Sequence, residues 1–431
     1  MKYSYNWLKE ISGTKKSAEE LAKILTMHSF ELDGIETKGD GLENIVVGEI
    51  LDIQKHPNAD RLQLTKIDIG TKELDIVCGA NNIKVGDKIP VALVGAVLPG
   101  ISAKGGPASG WEIKEAEIRG VKSFGMLCAE DELGLGKDHS GILILEKNAK
   151  IGASIKEALG LNDTVIDLDV LSNRGHDALS HWGMAKEISS LENKKANTYY
   201  DKLKITGKKS GKVKVEVKDE NLCPRYIGAV MNNIKIQESP EWIKNKLLAL
   251  GMNPISNIVD ATNYVMLELG QPLHAFDIEK IKGEKIIIRK AERGEKIKLL
   301  DETTKELDLE DLVIADSEKV LAVAGVMGGE DSGINEFTTS IVLESANFNQ
   351  TSIRKTRMRL GIKTDASDRF EKGIDPNLAE TAIARIVEII EKMGGKLEGY
   401  VDIYPKKIKP WKINLDLNYV NKLLGENIHQ K

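Results

Sequence analysis

The spacing of hydrophobic and polar positions changes several times along this chain. Ser17-Ala18-Glu19-Glu20 forms a capping box, in which the Ser17 hydroxyl and the Glu20 carboxylate satisfy free backbone N–H groups. Leu21, Ile24 and Leu25 follow at helical spacing, so a helix is expected to run to about Ser29. A unit as small as residues 1–39 is not stable alone and must pack on something further along. From about Asn44 the period shortens. Residues 45–53, 62–69, 74–77, 88–93, 112–118 and 141–145 read as short strands separated by Gly, Pro or Asn, the pattern of a small barrel. Helical spacing returns over 151–195, and 196–212 is a polar linker rich in Lys and Gly. A strand-rich region follows, opening at 212–217, with further strands from Cys223-Pro224-Arg225-Tyr226, at 285–289 and at 312–315. Ser239-Pro240-Glu241-Trp242 starts a helix with Pro in its first turn. Residues 377–393 form an amphipathic helix stopped by Gly394-Gly395.

One stretch does not fit a plain core or a plain loop. Residues 257–277, NIVDATNYVMLELGQPLHAFD, hold two Asn, three carboxylates, one His and one Tyr beside an apolar run. Gly270-Gln271-Pro272 breaks that run, and His274 sits just past the break. Two later stretches share this character: 324–333, AGVMGGEDSG, and 361–376, GIKTDASDRFEKGIDP. Brought together, the three would make a pocket with small walls and a few fixed polar groups, as recognition of a small ligand requires.

Composition narrows the picture. A chain of 431 residues is too long for one hydrophobic core, so two to four domains are expected. The net charge of −5 excludes a chain-wide basic coat, so a nucleic-acid site must be a local patch. Cys78, Cys128 and Cys223 are far apart and have no metal-ligand or disulfide spacing. His176 and His181 stand five apart, which is not one face of a helix, so capping and surface roles are preferred to a metal pair. No apolar run is long enough to span a bilayer and the start, MKYSYNWLKEIS, has no signal-like apolar region, so a reduced cytoplasm is the expected location. No Ser-His-Asp order, reactive Cys context, phosphate-cradling loop or metal cluster is found.

The turns of the barrel region carry a resemblance. HPNADRL, VCGANNI, VGAVLPG and RGVKSFGMLCAEDELGL, within residues 40–148, occur in the order seen in the OB-fold tRNA-binding domain of several synthetases and associated proteins. The loop 101–110, ISAKGGPASG, is longer than usual for that domain. Asn173-Arg174-Gly175-His176-Asp177-Ala178-Leu179 and the helix after it resemble the segment that follows this domain in the beta subunit of bacterial phenylalanine–tRNA ligase. Residues 223–376 resemble the editing domain of the same subunit. The fold class implied is a multidomain α+β chain. A split N-terminal domain (1–39 and 149–195) holds an inserted OB-fold barrel (40–148), followed by an α+β editing domain (205–400). Residues 401–431 resemble the start of a helical-winged domain that the chain leaves incomplete.

The resemblance implies a chain that binds tRNA(Phe) and hydrolyses tyrosine wrongly attached to it. Aminoacylation would belong to an alpha subunit, in an assembly of two alpha and two beta chains. ATP and Mg are expected only for that complete enzyme, and no cofactor or metal for this chain. It assigns His274 to the ester-cleaving end of the editing pocket, Glu330 of MGGE to the tyrosine hydroxyl, and Thr364 and Ala366 of TDAS to the wall. With no covalent nucleophile in view, water is the expected attacker. In the barrel, Lys55, Arg61, Arg119 and Lys122 are the candidate tRNA contacts, with Lys104 beside them. Read from the residues alone, His274 is also compatible with a satisfied core histidine, Glu330 with a solvated turn and Asp365 with a helix cap. A rival reading is a non-catalytic tRNA-binding or scaffold chain with an inactive pocket. A metal-dependent hydrolase is disfavoured for want of ligand spacing.

Overall fold

The computed structural model describes residues 1–98, 110–136, 138–209 and 212–429, a mixed α+β chain in two compact units. The first comprises 1–200 and 236–270, the second 201–235 and 271–431. Residues 236–270, which lie inside the sequence-based 205–400 division, thus group with the first unit.

In the first unit the capping box forms as written. The Glu20 N–H donates to Ser17 Oγ at 3.2 Å and the Ser17 N–H to Glu20 Oε2 at 2.8 Å. The partner that residues 1–39 require is a strand, Thr164–Asp169, in a segment whose spacing reads as helical. It lies between Lys2–Ser4 and Glu31–Thr37 in an antiparallel sheet. Leu8, Leu21, Leu25, Ile166, Met184 and Ile188 close one core over it.

The intervening chain makes a five-stranded antiparallel sheet in the order Met126–Leu127, Lys88–Ala92, Ile45–Lys55, Gln63–Asp68, Glu73–Cys78. The Phe124 N–H donates to the Asp75 carbonyl at 3.0 Å and the Val77 N–H to Ser123 Oγ at 3.1 Å, so the sheet curls almost to closure as an OB-fold-like barrel. Residues 141–145 do not add a strand. Leu143 and Leu145 make single bonds to Cys128 and Lys88, and no ladder develops. Most of the 101–110 loop, with Lys104, lies outside the described residues.

The second unit stacks two sheets. Leu273–Asp277, Ile341–Asn347, Arg225–Asn232 and Lys396–Ile403 form an antiparallel sheet in that order. The helix Leu378–Lys392 covers one face, to which Ser345 points, its Oγ donating to the Ala379 carbonyl at 2.9 Å. Tyr226, Val230, Phe276, Val342 and Ala346 cover the other. They share a core with Ile286, Ile288, Val313, Leu321 and Val323 of the second, five-stranded sheet. Side chains of two inner faces filling a common layer is the packing of a sandwich.

Candidate functional site

His274 stands in register opposite Glu344, and Glu344 in turn opposite Gly228. Directly opposed residues of an antiparallel pair project to the same face. Alternation along each strand puts Tyr226, Phe276, Val342 and Ala346 on that face too, so His274 and Glu344 are polar groups in the apolar layer between the sheets. The Tyr226 hydroxyl donates to Glu344 Oε2 at 3.0 Å, and no protein donor is found for Oε1 among the described residues. The edge of His274 meets the Phe276 ring, with centroids 4.5 Å apart.

Burial sets both charges. It pushes the Glu344 carboxyl up to about 7, against the opposing effect of the Tyr226 hydrogen bond. It pushes the His274 imidazole down to about 4. Part of the His274 residue keeps some exposed surface, but its Nε2 atom is buried and has no protein partner. A buried ring nitrogen without a protein partner costs about 1–3 kcal/mol unless a water or a ligand group reaches it.

The glycine-rich turn approaches this nitrogen. A Cβ on Gly328 would lie 2.7 Å from His274 Cε1 and 3.0 Å from Nε2, so only glycine allows the approach. A Cβ on Gly329 would lie 2.7 Å from the Leu321 carbonyl oxygen. Thr364 ties the third stretch to the same turn. Its Oγ1 donates to the Val326 carbonyl at 2.8 Å and accepts from the Ser367 N–H at 3.1 Å, capping the helix Asp365–Lys372. Ala366 is half-buried in the first turn of that helix. Thus 271–277, 324–333 and 361–376 converge within the second unit, whereas Asn257–Leu269 is a helix of the first.

Glu330 is placed differently. It is exposed, and its carboxylate pairs with Lys298 Nζ at 2.6 Å, both side chains nearly half accessible. Sequence reasoning passed over Glu344 and Tyr226. The available signal was the pattern IVLESAN, where Val342, Glu344 and Ala346 alternate with the residues that face the covering helix.

In the barrel, the Asn58 N–H donates to His56 Nδ1 at 3.0 Å, so His56 Nε2 carries the proton it donates to the Ile118 carbonyl at 3.1 Å. Asn58 Nδ2 donates to the Arg119 carbonyl at 3.0 Å. Arg119 and Gly120, with φ of 49° and 86°, form the two-residue turn of the hairpin Ala116–Ile118 to Val121–Ser123. These bonds hold the Arg61 loop and the Arg119 corner side by side. Lys55, Arg61, Arg119 and Lys122 are all exposed, but Lys122 is paired with Glu115 at 3.0 Å.

His181 is fully buried, its Nδ1 donating to the Leu267 carbonyl at 2.9 Å and its Nε2 accepting from the Ser4 N–H at 3.1 Å. Its ring stacks on Trp7 at 4.1 Å. With both nitrogens used it is a structural residue, and His176 is exposed. No group of three or more His, Cys, Asp or Glu able to hold a metal occurs among the described residues.

The two shifts in the second unit act on stability in opposite directions. His274 is depressed from 6.5 to about 4, so as pH falls from about 6.5 to 4 the unfolded chain gains a proton that the folded one does not, and stability is lost. Glu344 is raised from 4.5 to about 7, so stability is lost as pH rises through that window. The stability of the parent relative to His274→Phe is therefore expected to rise by about 2–3 kcal/mol between pH 4 and 6.5. Urea unfolding of the two proteins across that range measures it, and a constant difference would mean that His274 titrates normally.

Residues 222–395 match the family model described as B3/4 domain, and residues 45–154 the one described as putative tRNA binding domain. The chain is 43% identical over 434 residues to the phenylalanine–tRNA ligase beta subunit of Fusobacterium nucleatum, covering 99% of this chain and 53% of that protein. It is 43% identical over 438 residues to that of Clostridium acetobutylicum, covering 100% and 54%. The chain spans about half the length of the curated relatives it matches. Among solved structures, an N-terminal fragment of the phenylalanyl-tRNA synthetase beta subunit from Pyrococcus horikoshii aligns with a TM-score of 0.30 and 18% identity, over 62% of this chain and 74% of that one.

Proposed function

This chain belongs to the bacterial phenylalanine–tRNA ligase beta-subunit family, and from that premise we propose that its second unit removes tyrosine wrongly esterified to tRNA(Phe). The observation that carries the proposal is the polar pair His274 and Glu344, buried between two sheets and approached by the glycine turn at Gly328. Editing answers a physical difficulty. A pocket built for phenylalanine rejects an added hydroxyl only about a hundredfold. A second pocket that binds the hydroxyl reverses the test, because phenylalanine then leaves a buried polar group unpaired.

Two carboxylates compete for the hydroxyl. Glu330 follows the glycine turn but is exposed, with its Oε2 on Lys298. Glu344 is buried, on the face of His274, with Oε1 open, and buried acceptors discriminate more strongly than solvated ones. We therefore assign the hydroxyl to Glu344 and the ester end to His274, with Thr364 and Ala366 in the wall. Water attacks the ester carbonyl, the bond to the ribose oxygen breaks, and that oxygen takes up the proton. With a pKa near 4, His274 is neutral at pH 7 and a weak base, suited to holding the water through Nε2.

The barrel serves as the tRNA-binding module, and 1–39 with 149–195, 40–148, 205–400 and 401–431 stands as the chain's domain division, apart from residues 236–270, which group with the first unit. Pairing with an alpha subunit that uses ATP and Mg, and a cytoplasmic location, complete the reading. Among the described residues no helix is long and apolar enough to cross a membrane. The test is release of amino acid from Tyr-tRNA(Phe) and Phe-tRNA(Phe) by the purified chain. Faster release of tyrosine is expected. Release of neither above the spontaneous rate would favour the scaffold reading.

A further inference from the structure

The barrel carries a cavity of about 650 Å³, within the range of small-ligand sites. Leu62, Ile118 and Met126 are among its walls, and Trp111, 59% exposed, lines it from the strand Trp111–Glu112. Glu132 also lines it. Glu132 Oε2 accepts from the Ala129 N–H at 2.7 Å, and no protein donor is found for Oε1 among the described residues. Burial pushes the thiols of Cys78 and Cys128 up, and the nearby charge of Glu132 adds to both shifts. Two cations adjoin lining residues along the chain. Arg61 immediately precedes Leu62 and Arg119 immediately follows Ile118, both exposed. The bonds from His56 and Asn58 to that corner fix the two loops side by side.

An exposed aromatic ring at an apolar cavity, flanked by cations, is the arrangement that holds an unstacked base of a single strand. The Glu132 Oε1, without a donor among the described residues, could tell bases apart. Guanine turns two donors, N1–H and the N2 amino group, toward one carboxylate. Adenine and cytosine offer one amino group, and uracil sets carbonyl oxygens beside its single N–H. We propose that this cavity takes one guanine of a single-stranded RNA segment, stacked on Trp111 with its Watson–Crick edge on Glu132, while Arg61 and Arg119 hold the adjoining phosphates. The proposal rests on the reading of the barrel as an RNA-binding module.

The test is fluorescence anisotropy of the full chain with labelled heptanucleotides of uridine, carrying a central guanosine, adenosine, cytidine or uridine. The guanosine oligomer is expected to bind about tenfold more tightly than the all-uridine one. Trp111→Ala should weaken binding of the guanosine oligomer about tenfold and Trp111→Phe should restore most of it. Glu132→Gln keeps an acceptor for the Ala129 N–H but should level the four oligomers. Equal binding of all four, unchanged in Trp111→Ala, would overturn the pocket and leave an RNA-binding barrel with another contact face. Failure of every oligomer and of intact tRNA to bind would instead remove the RNA-binding reading itself.

Discussion

Replacing Glu344 by Ala in a Tyr226→Phe background is expected to abolish the preference for tyrosine over phenylalanine in ester hydrolysis. The second substitution matters because the Tyr226 hydroxyl donates to Glu344 and would otherwise be left buried without a partner. Loss of the acceptor removes the bond made by tyrosine and also removes the unpaired group that penalises phenylalanine. The ratio of the two rates should fall about tenfold to a hundredfold, the equivalent of about 1–3 kcal/mol. Glu330→Ala is the internal control. Its carboxylate is exposed and held by Lys298, so water replaces whatever contact it makes and the ratio should stay near that of the parent. The opposite pattern, with the ratio lost in Glu330→Ala and kept in the Glu344 variant, would move hydroxyl recognition to the surface turn.

His274→Ala is expected to slow hydrolysis of both esters by a similar factor, because the proposed mechanism puts it at the ester end that both share. General acid–base and water-positioning groups are worth about a hundredfold or more, and a weakly basic imidazole belongs at the lower end. The pH profile separates positioning from proton transfer. With its pKa near 4, His274 stays neutral from pH 6 to 8, so the parent rate should show no step near pH 6.5 from this group. A step there that disappears in His274→Ala would mean that the imidazole ionises normally and acts as the base. A ratio altered in His274→Ala with the phenylalanine rate unchanged would place it at the discriminating end instead.

Local chemistry was legible in the sequence wherever one residue type answers one backbone demand. The capping box at Ser17 and the glycines at 328 and 329 are of this kind. So is the polar character of His274 just past a chain break. Four of the six expected barrel strands, at 45–53, 62–69, 74–77 and 88–93, are legible for the same reason, since their turns punctuate them, whereas 112–118 divides into Trp111–Glu112 and Ala116–Ile118. Other features depend on which strand lies alongside. Thr164–Asp169 became a central strand because Lys2–Ser4 and Glu31–Thr37 pair with it from far away in the chain. Residues 141–145, equally apolar, found only scattered bonds and stayed irregular. The same physics decided the site. Glu344 is an ordinary acidic residue in a run of strand formers until Leu273–Asp277 pairs with Ile341–Asn347 and sets it opposite His274. Register is fixed by hydrogen bonds between distant segments, and a shift of one residue would have turned the carboxylate to the face covered by the helix Leu378–Lys392. Residue types and their spacing therefore determined the caps and the candidate histidine, while only tertiary pairing decided which carboxylate faces the same layer as it, because burial and facing are properties of two strands and not of one.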